Sequence, residues 1–191
     1  MSTVTIIGTG TMGQAIAGLV AKGGGSAQLL GTADAATPVT GDVVVLAVPH
    51  PAVAGILAER GDQLAGKVVV DITNPVNFET FDSLVVPADS SKAAEIAAAL
   101  PGSKVVKAFN TNFAATLATG SVGSETTAVI VAGDDADAKA AVSAIATGAG
   151  LRAIDAGALS RARELEALGF LQITLAAGEK ISWVGGFTPV A

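Results

Sequence analysis

The sequence predicts a doubly wound α/β fold with a mostly parallel sheet and a short helical C-terminal extension. Three observations carry this reading. An apolar strand, Val4-Thr5-Ile6-Ile7, runs into a glycine-rich turn and then a helical pattern. Several short β-branched runs follow, such as Val43-Val44-Val45-Leu46-Ala47-Val48 and Lys67-Val68-Val69-Val70-Asp71-Ile72, apolar enough to be buried on both faces. Helical stretches separate most of them, the alternation that builds parallel sheets.

The turn is Gly8-Thr9-Gly10-Thr11-Met12-Gly13, a G-x-G-x-x-G with a strand before it and a helix after it. That context makes it a dinucleotide-binding fingerprint of the Rossmann type. Gly8 permits the tight turn, Gly10 lets the backbone approach a pyrophosphate, and Gly13 allows close packing of helix on strand. The helix start then turns unpaired N–H groups and its positive dipole end towards the phosphates.

The first helix is expected from Thr11 to Lys22, ended by Gly23-Gly24-Gly25. Ser26 to Leu30 reads as the second strand. Many NAD sites carry an Asp or Glu at its end for the adenine ribose; Gly31 stands there. A missing carboxylate leans the slot towards NADP. Only Thr32 to Thr40 separates this strand from the next apolar run. A crossover with a helix needs a dozen or more residues, so the second helix is expected to be absent or reduced to a turn. The run from Val43 to Val48 is a central strand, closed by Pro49-His50-Pro51, with a helix to about Arg60. His50 lies where the strand's carboxyl end borders a ligand, and is a candidate for the nicotinamide side or a bystander of the loop.

After the strand ending at Ile72 comes Thr73-Asn74-Pro75-Val76, and residues 77–88 lack a period and read as a loop. Ser90 or Ser91 caps a helix over Lys92–Leu100. Lys104 to Ala108 is a strand leading to the polar end Phe109-Asn110-Thr111-Asn112. Glu125 to Ala132 reads as one strand, Asp134-Asp135 as the cap of a helix over Ala136–Thr147, and Leu151 to Ile154 as a last strand. Ser160 is expected to cap a helix with Leu165, Leu168, Leu171 and Leu175 on one packed stripe, ended by Gly178. Arg161 and Arg163 oppose that helix's dipole, so partners elsewhere are expected. Trp183, the only Trp, is expected to pack against the core rather than stack on a planar ring. A Rossmann domain over 1–155 and an extension over 156–191 packed on it follow.

Composition excludes several functions. A net charge of −6 with no basic run among 191 residues argues against a nucleic-acid surface. The sequence has no cysteine and one histidine, so no thiol chemistry and no cysteine- or histidine-rich metal site is expected. No apolar stretch approaches the roughly 18–20 residues of a membrane span, and the chain starts in strand with no signal peptide. A cytoplasmic protein is expected.

The whole string resembles the NADP-dependent reductases of the deazaflavin coenzyme F420, relatives of the cytosolic NADPH-binding domain of the STEAP metalloreductases. The resemblance rests on Ile7-Gly8-Thr9-Gly10-Thr11-Met12-Gly13, Val45-Leu46-Ala47-Val48-Pro49, Val70-Asp71-Ile72-Thr73-Asn74-Pro75, Val106-Lys107-Ala108-Phe109-Asn110-Thr111, and Asp155 through Glu166. The last two are the most specific. The resemblance implies that Thr9, Gly10, Thr11 and Met12 hold the pyrophosphate and Thr32 meets the 2′-phosphate. It also implies that Val48, Pro49 and His50 follow the ribose, while Asn74, Asn110 and Ala114 line the nicotinamide end. The family usually places an Arg after the Ser or Thr of the phosphate slot; here that position is Ala33. A shallow NADP preference follows.

The resemblance implies hydride transfer between NADP(H) and F420 or a flavin. The cofactors hold that chemistry, so no catalytic residue is assigned. A small hydroxyacid or imine dehydrogenase is one alternative; it needs an acid–base group on a large helical second domain, which about 35 residues after Asp155 cannot make unless a dimer partner supplies the group. A nucleotide-binding module or redox sensor without turnover is the other alternative. The apolar C-terminal stripe and tail predict a homodimer acting on a small-molecule redox substrate.

Overall fold

The computed structural model describes residues 3–190; Met1, Ser2 and Ala191 lie outside them. Strand β1 (Thr3–Ile7) leads through the glycine turn into α1 (Thr11–Lys22) and β2 (Ser26–Leu30). Both α1 and β2 have the bounds that the pattern and the flanking glycines predict. The crossover to β3 (Val43–Leu46) holds only a 3-10 turn, Thr32–Asp34, where a second helix would stand. Next come α2 (Val53–Leu64), β4 (Val68–Asp71), α3 (Lys92–Ala99) and β5 (Lys104–Lys107). The oxygen of Ser91 accepts from the Ala94 N–H at 3.0 Å, which fixes the start of α3.

The main sheet has seven strands in the order β2-β1-β3-β4-β5-β8-β9, once β8 (Ala128–Gly133) and β9 (Arg152–Gly157) are included. Every pairing is parallel except β5 with β8. The expected single strand over Glu125–Ala132 is in fact two pieces. A short helix α4 (Ala114–Thr119) leads into a hairpin of β6 (Ser121–Val122) and β7 (Glu125–Thr126), and β8 begins after it. With no long crossover, the chain returns antiparallel to β5. Helix α5 (Ala136–Gly148) then supplies the crossover to β9, its N-terminus capped by Asp135 through the Ala138 N–H at 2.8 Å.

The alternation of the strands divides the core. Val43 and Val45 pack with Ile16, Leu19, Val142 and Ile145 on one face. Val44 and Leu46 pack with Val53, Leu64 and Ile96 on the other. Each such side chain, fully buried, contributes roughly 1.5–3 kcal/mol over exposure. The strand order reverses at β1, with β2 on one side of it and β3 on the other, so a crevice opens beyond their carboxyl ends, the place where open α/β sheets bind ligands.

The last helix, α6 (Ala162–Ala177), differs from its expected form. Ser160 lies in the 3-10 turn Leu159–Arg161 and makes no cap; Arg161 is the N-cap residue. The buried face is Ala162, Leu165, Glu166, Gly169, Gln172 and Ala176, while Leu171 is half exposed and Leu168 and Leu175 are partly covered. Of the four leucines only Leu165 is on the packed face, because the rest of that face meets a polar wall that small and hydrogen-bonding residues fit. Arg161 and Arg163 pair locally with Glu164, at 3.6 and 3.1 Å, instead of reaching elsewhere. The guanidinium of Arg163 in turn holds the Glu164 carboxyl below its usual range.

Candidate functional site

Two clefts lie on either side of the glycine turn. The outer one, about 330 Å³, is bordered by Gly8, Thr9, Gly31, Thr32 and Val48, with Glu59 and Arg60 of α2 behind them. The inner one, about 380 Å³, is bordered by Thr11, Met12, Ile72, Asn74, Asn110, Asn112, Ala114 and the rings of Phe113 and Trp183. Between them lies the start of α1, which no side chain caps. Its first-turn N–H groups are the kind of donors that bind a phosphate.

The three glycines of the turn differ in what constrains them. Gly8 has φ +122°, and a Cβ there would stand 2.0 Å from the Ala47 carbonyl oxygen. A Cβ on Gly13 would stand 2.1 Å from the Gly8 oxygen, so helix and strand could not approach. Gly10 has extended backbone and open space: no described atom lies within 4 Å of the Cβ it lacks. Nothing in the protein requires glycine there, whereas a pyrophosphate drawn over the helix start would need that space.

The inner cleft stands on a polar lattice. Asn74 Nδ2 donates to the Asn110 carbonyl at 2.8 Å, and Asn110 Nδ2 donates to Asn74 Oδ1 at 2.9 Å and to the Leu165 carbonyl at 2.8 Å. Asn112 Nδ2 donates to the Ala128 carbonyl at 2.9 Å. These bonds fix which end of each amide is oxygen. The Oδ1 atoms of Asn110 and Asn112 are buried and have no partner among the described residues. Unpaired buried acceptors of this kind mark a place for a donor from outside the chain, a ligand or an ordered water. Phe109, buried with φ +62°, makes the bend that turns the following asparagines towards the cleft.

Beneath the lattice is a charge cluster. Lys107 Nζ, fully buried, lies 2.8 Å from Asp71 Oδ2 and 2.8 Å from Glu166 Oε1, and donates to the Thr73 carbonyl at 2.6 Å. Glu166 also accepts the Lys92 and Ala93 N–H groups at 3.0 and 3.3 Å. Burial pushes the Glu166 carboxyl above its usual range, the Asp71 charge adds to this, and the Lys107 ammonium opposes it. The cluster thus ties α6 to β4, β5 and α3. Gly169 on α6 is required by this closeness, since a Cβ there would stand 2.2 Å from Asn74 Oδ1.

The residues expected to form the site separate into three groups. Gly8, Thr9, Thr32 and Val48 border the outer cleft; Thr11, Met12, Asn74, Asn110 and Ala114 border the inner one. Gly10 bridges the two, and Gly13 is buried under the turn. Pro49 and His50 border neither: His50 lies against the ring of Phe78 in the 77–88 loop, centroids 6.4 Å apart. Asn112, Phe113, Ile173 and Arg60 border the clefts without having been expected there; Asn112 alone carried a signal, its place in the polar strand end. Trp183 does not join the core. It is half exposed and packs against Phe113, centroids 4.9 Å apart, as a wall of the inner cleft. Among the described residues no helix is long and apolar enough to cross a membrane.

Known proteins share this fold and part of this sequence. Residues 25–75 match the family model described as NADP oxidoreductase, coenzyme F420-dependent. The chain is 38% identical over 112 residues to Metalloreductase STEAP3 of Rattus norvegicus, which covers 59% of this chain and 22% of that protein. It is 35% identical over 141 residues to the F420-dependent NADP reductase of Methanocaldococcus jannaschii, covering 71% of this chain and 62% of that one. The chain thus spans less than two thirds of either relative. A crystal structure of a provisionally assigned F420-dependent NADP-reductase from Arthrobacter sp. FB24 superposes over 100% of both chains, with TM-score 0.84 and 27% identity. The kinship read from the motifs is shown: this chain is a homologue of the F420-dependent NADP reductases and of STEAP3.

Proposed function

We propose, from that kinship, that the chain is an oxidoreductase moving a hydride between NADP(H) and a deazaflavin of the F420 type or a flavin. The observation that carries the reading is the pair of unpaired, buried carboxamide oxygens, Asn110 and Asn112, at a mostly apolar cleft beside the fingerprint helix. The nicotinamide supplies the hydride when bound. Its carboxamide N–H₂ offers the donors that these two oxygens lack. The uncharged lining, from Thr11 and Met12 to Phe113 and Trp183, holds a flat ring and excludes water. Gly10 leaves the pyrophosphate its space, and the α1 N-terminus supplies its N–H donors. No proton-transferring side chain is assigned, because the two cofactor rings carry the hydride chemistry themselves.

The test is anaerobic incubation with NADPH and, in turn, F420, FMN, FAD and a ferric chelate, followed at 340 nm. Loss of absorbance with F420 or a flavin is the expected result. Tight NADPH binding without turnover on any acceptor would instead make the chain a binding module. Absence of NADPH binding would remove the reading altogether. The same kinship and the apolar surface of Leu171, Trp183, Val184 and Phe187 along α6 and the tail support a homodimer. A monomer in light scattering at micromolar concentration would exclude it.

A further inference from the structure

We propose that Asp34 accepts the hydroxyl groups of the adenosine ribose, so that the outer cleft takes NAD(H) on a par with NADP(H). The proposal rests on the dinucleotide reading above and concerns the one place where the chain departs from it.

Gly31 removes the side chain that would carry a ribose-binding carboxylate at the end of β2. The structure returns a carboxylate to that space from three residues further on. The Gly31 N–H donates to Asp34 Oδ2 at 2.8 Å. That oxygen lies 3.6 Å from where a Cβ on residue 31 would be, in the same space that faces Cγ2 and Oγ1 of Thr9. Asp34 also stands about 20 residues after the fingerprint, the usual separation of the ribose-binding acid. Its Oδ1 has no hydrogen-bond partner among the described residues and remains to accept.

The turn that presents Asp34 is held by one side chain. Arg60 on α2, only 4% exposed, donates through Nη1 to the Thr37 carbonyl at 2.8 Å. Its Nη2 donates to the carbonyls of Asp34 at 2.5 Å and Ala35 at 3.1 Å. Arg60 is therefore a positioning residue. It replaces with hydrogen bonds the rigidity that a second crossover helix would give, and three of its donations are taken by backbone oxygens. Asp34 sits against Gly31, which borders the outer cleft, and Glu59 borders that cleft directly. A 2′,3′-diol meets an acceptor here, whereas a 2′-phosphate meets the carboxylates of Asp34 and Glu59 against the cation Arg60, with the Thr32 hydroxyl and backbone N–H groups as its donors. The cleft therefore gives a 2′-phosphate no advantage over a free hydroxyl.

The experiment is calorimetric titration of the protein with NADH and NADPH, and with 5′-AMP and adenosine 2′,5′-bisphosphate as fragments that sample the outer cleft alone. The same titrations are made on Asp34→Asn, whose amide oxygen can still accept the Gly31 N–H and keep the turn. For the unaltered protein the two dinucleotides should bind within about tenfold of each other. In Asp34→Asn, NADH should weaken and NADPH strengthen, moving their ratio by at least about tenfold, the loss expected for one hydrogen bond to a charged group. The fragments should follow the same order. Preference for NADPH beyond tenfold in the unaltered protein, or a ratio unmoved by Asp34→Asn in dinucleotides and fragments alike, overturns the proposal while leaving the hydride-transfer reading standing. Binding of neither dinucleotide overturns both.

Discussion

The inner and outer clefts flank one helix start, yet they are held in opposite ways. At the inner cleft Asn74 and Asn110 are locked to one another and Asn110 to the Leu165 carbonyl, Asn112 is tied to the Ala128 carbonyl, and a buried Lys107 that two carboxylates share lies beneath. At the outer cleft Thr32, Ala33 and Ala35 are exposed, and a single arginine holds their turn by its backbone. In the first region the geometry of the site and the stability of the fold are the same set of bonds. In the second they are separable. A change at the outer cleft can alter which nucleotide binds while leaving folding nearly untouched; a change under the inner cleft cannot.

The largest effect expected from this contrast follows Lys107→Met. Removing the ammonium leaves Asp71 and Glu166 buried without their counter-ion, which costs roughly 3–5 kcal/mol. For a chain of this size that is a fall in Tm on the order of 10 °C. A thermal unfolding curve checks it, and an unchanged midpoint would show that the cluster does not hold α6 to the sheet. The pH dependence sharpens the point. The Glu166 carboxyl is raised in the folded state by burial, so its contribution is fully present below its ordinary value of 4.5 and is lost as the pH climbs through the raised value. Stability should therefore fall over that window in the unaltered protein. Glu166→Gln should remove this part of the slope, measured as Tm against pH.

The glycine turn, which belongs to both clefts, gives the next effect. Gly10→Val has open space for its side chain in the free protein and extended backbone that any residue adopts. Tm should hold to within a few degrees while NADPH affinity falls by on the order of 100-fold, about 2.7 kcal/mol. Gly13→Ala should behave in the opposite sense, losing stability first, because its Cβ meets the Gly8 oxygen. Calorimetric binding beside thermal unfolding of both variants separates the two roles. A folded Gly10→Val variant that binds NADPH normally would remove the fingerprint from the site.

The contrast also explains what could be read in advance. The fingerprint, the bounds of α1 and β2 and the missing second helix are local facts, written in glycines, apolar runs and the short span from Thr32 to Thr40. Gly31-Thr32-Ala33-Asp34 is equally local, an acid three residues after a turn start, and its hydrogen bond is legible once a 3-10 turn is assumed. Lys107 was not legible as a buried charge. Its partners are 36 and 59 residues away, and only the folded sheet brings Asp71 and Glu166 to it. The antiparallel direction of β8 was not legible either, and the packed face of α6 was misread for the same reason. An apolar run carries no sign of parallel or antiparallel pairing. A leucine stripe marks a core helix only where the surface it covers is apolar, and here that surface is Asn74, Asn110 and Lys107.

The smallest expected effect is also the sharpest test of separability. Ala33 is exposed in the 3-10 turn, beside Thr32 at the rim of the outer cleft. An arginine there adds a guanidinium near the position of a 2′-phosphate, and its bidentate, charge-assisted bonds are the strong kind. The carbonyls that Arg60 holds belong to Asp34, Ala35 and Thr37, so the backbone of residue 33 is not one of its acceptors and the turn keeps its shape. Ala33→Arg should strengthen NADPH binding by on the order of tenfold, about 1.4 kcal/mol, and leave NADH nearly unchanged. The gain should shrink as salt rises, since an exposed pair is screened over a Debye length of about 8 Å at physiological ionic strength. Stability should not move, because no buried contact is made or lost. Tighter binding of both nucleotides alike would mean that residue 33 senses the pyrophosphate rather than the 2′ position. A fall in Tm of several degrees would mean that the turn is as deeply tied to the fold as the asparagine lattice, and the two clefts would no longer differ in kind.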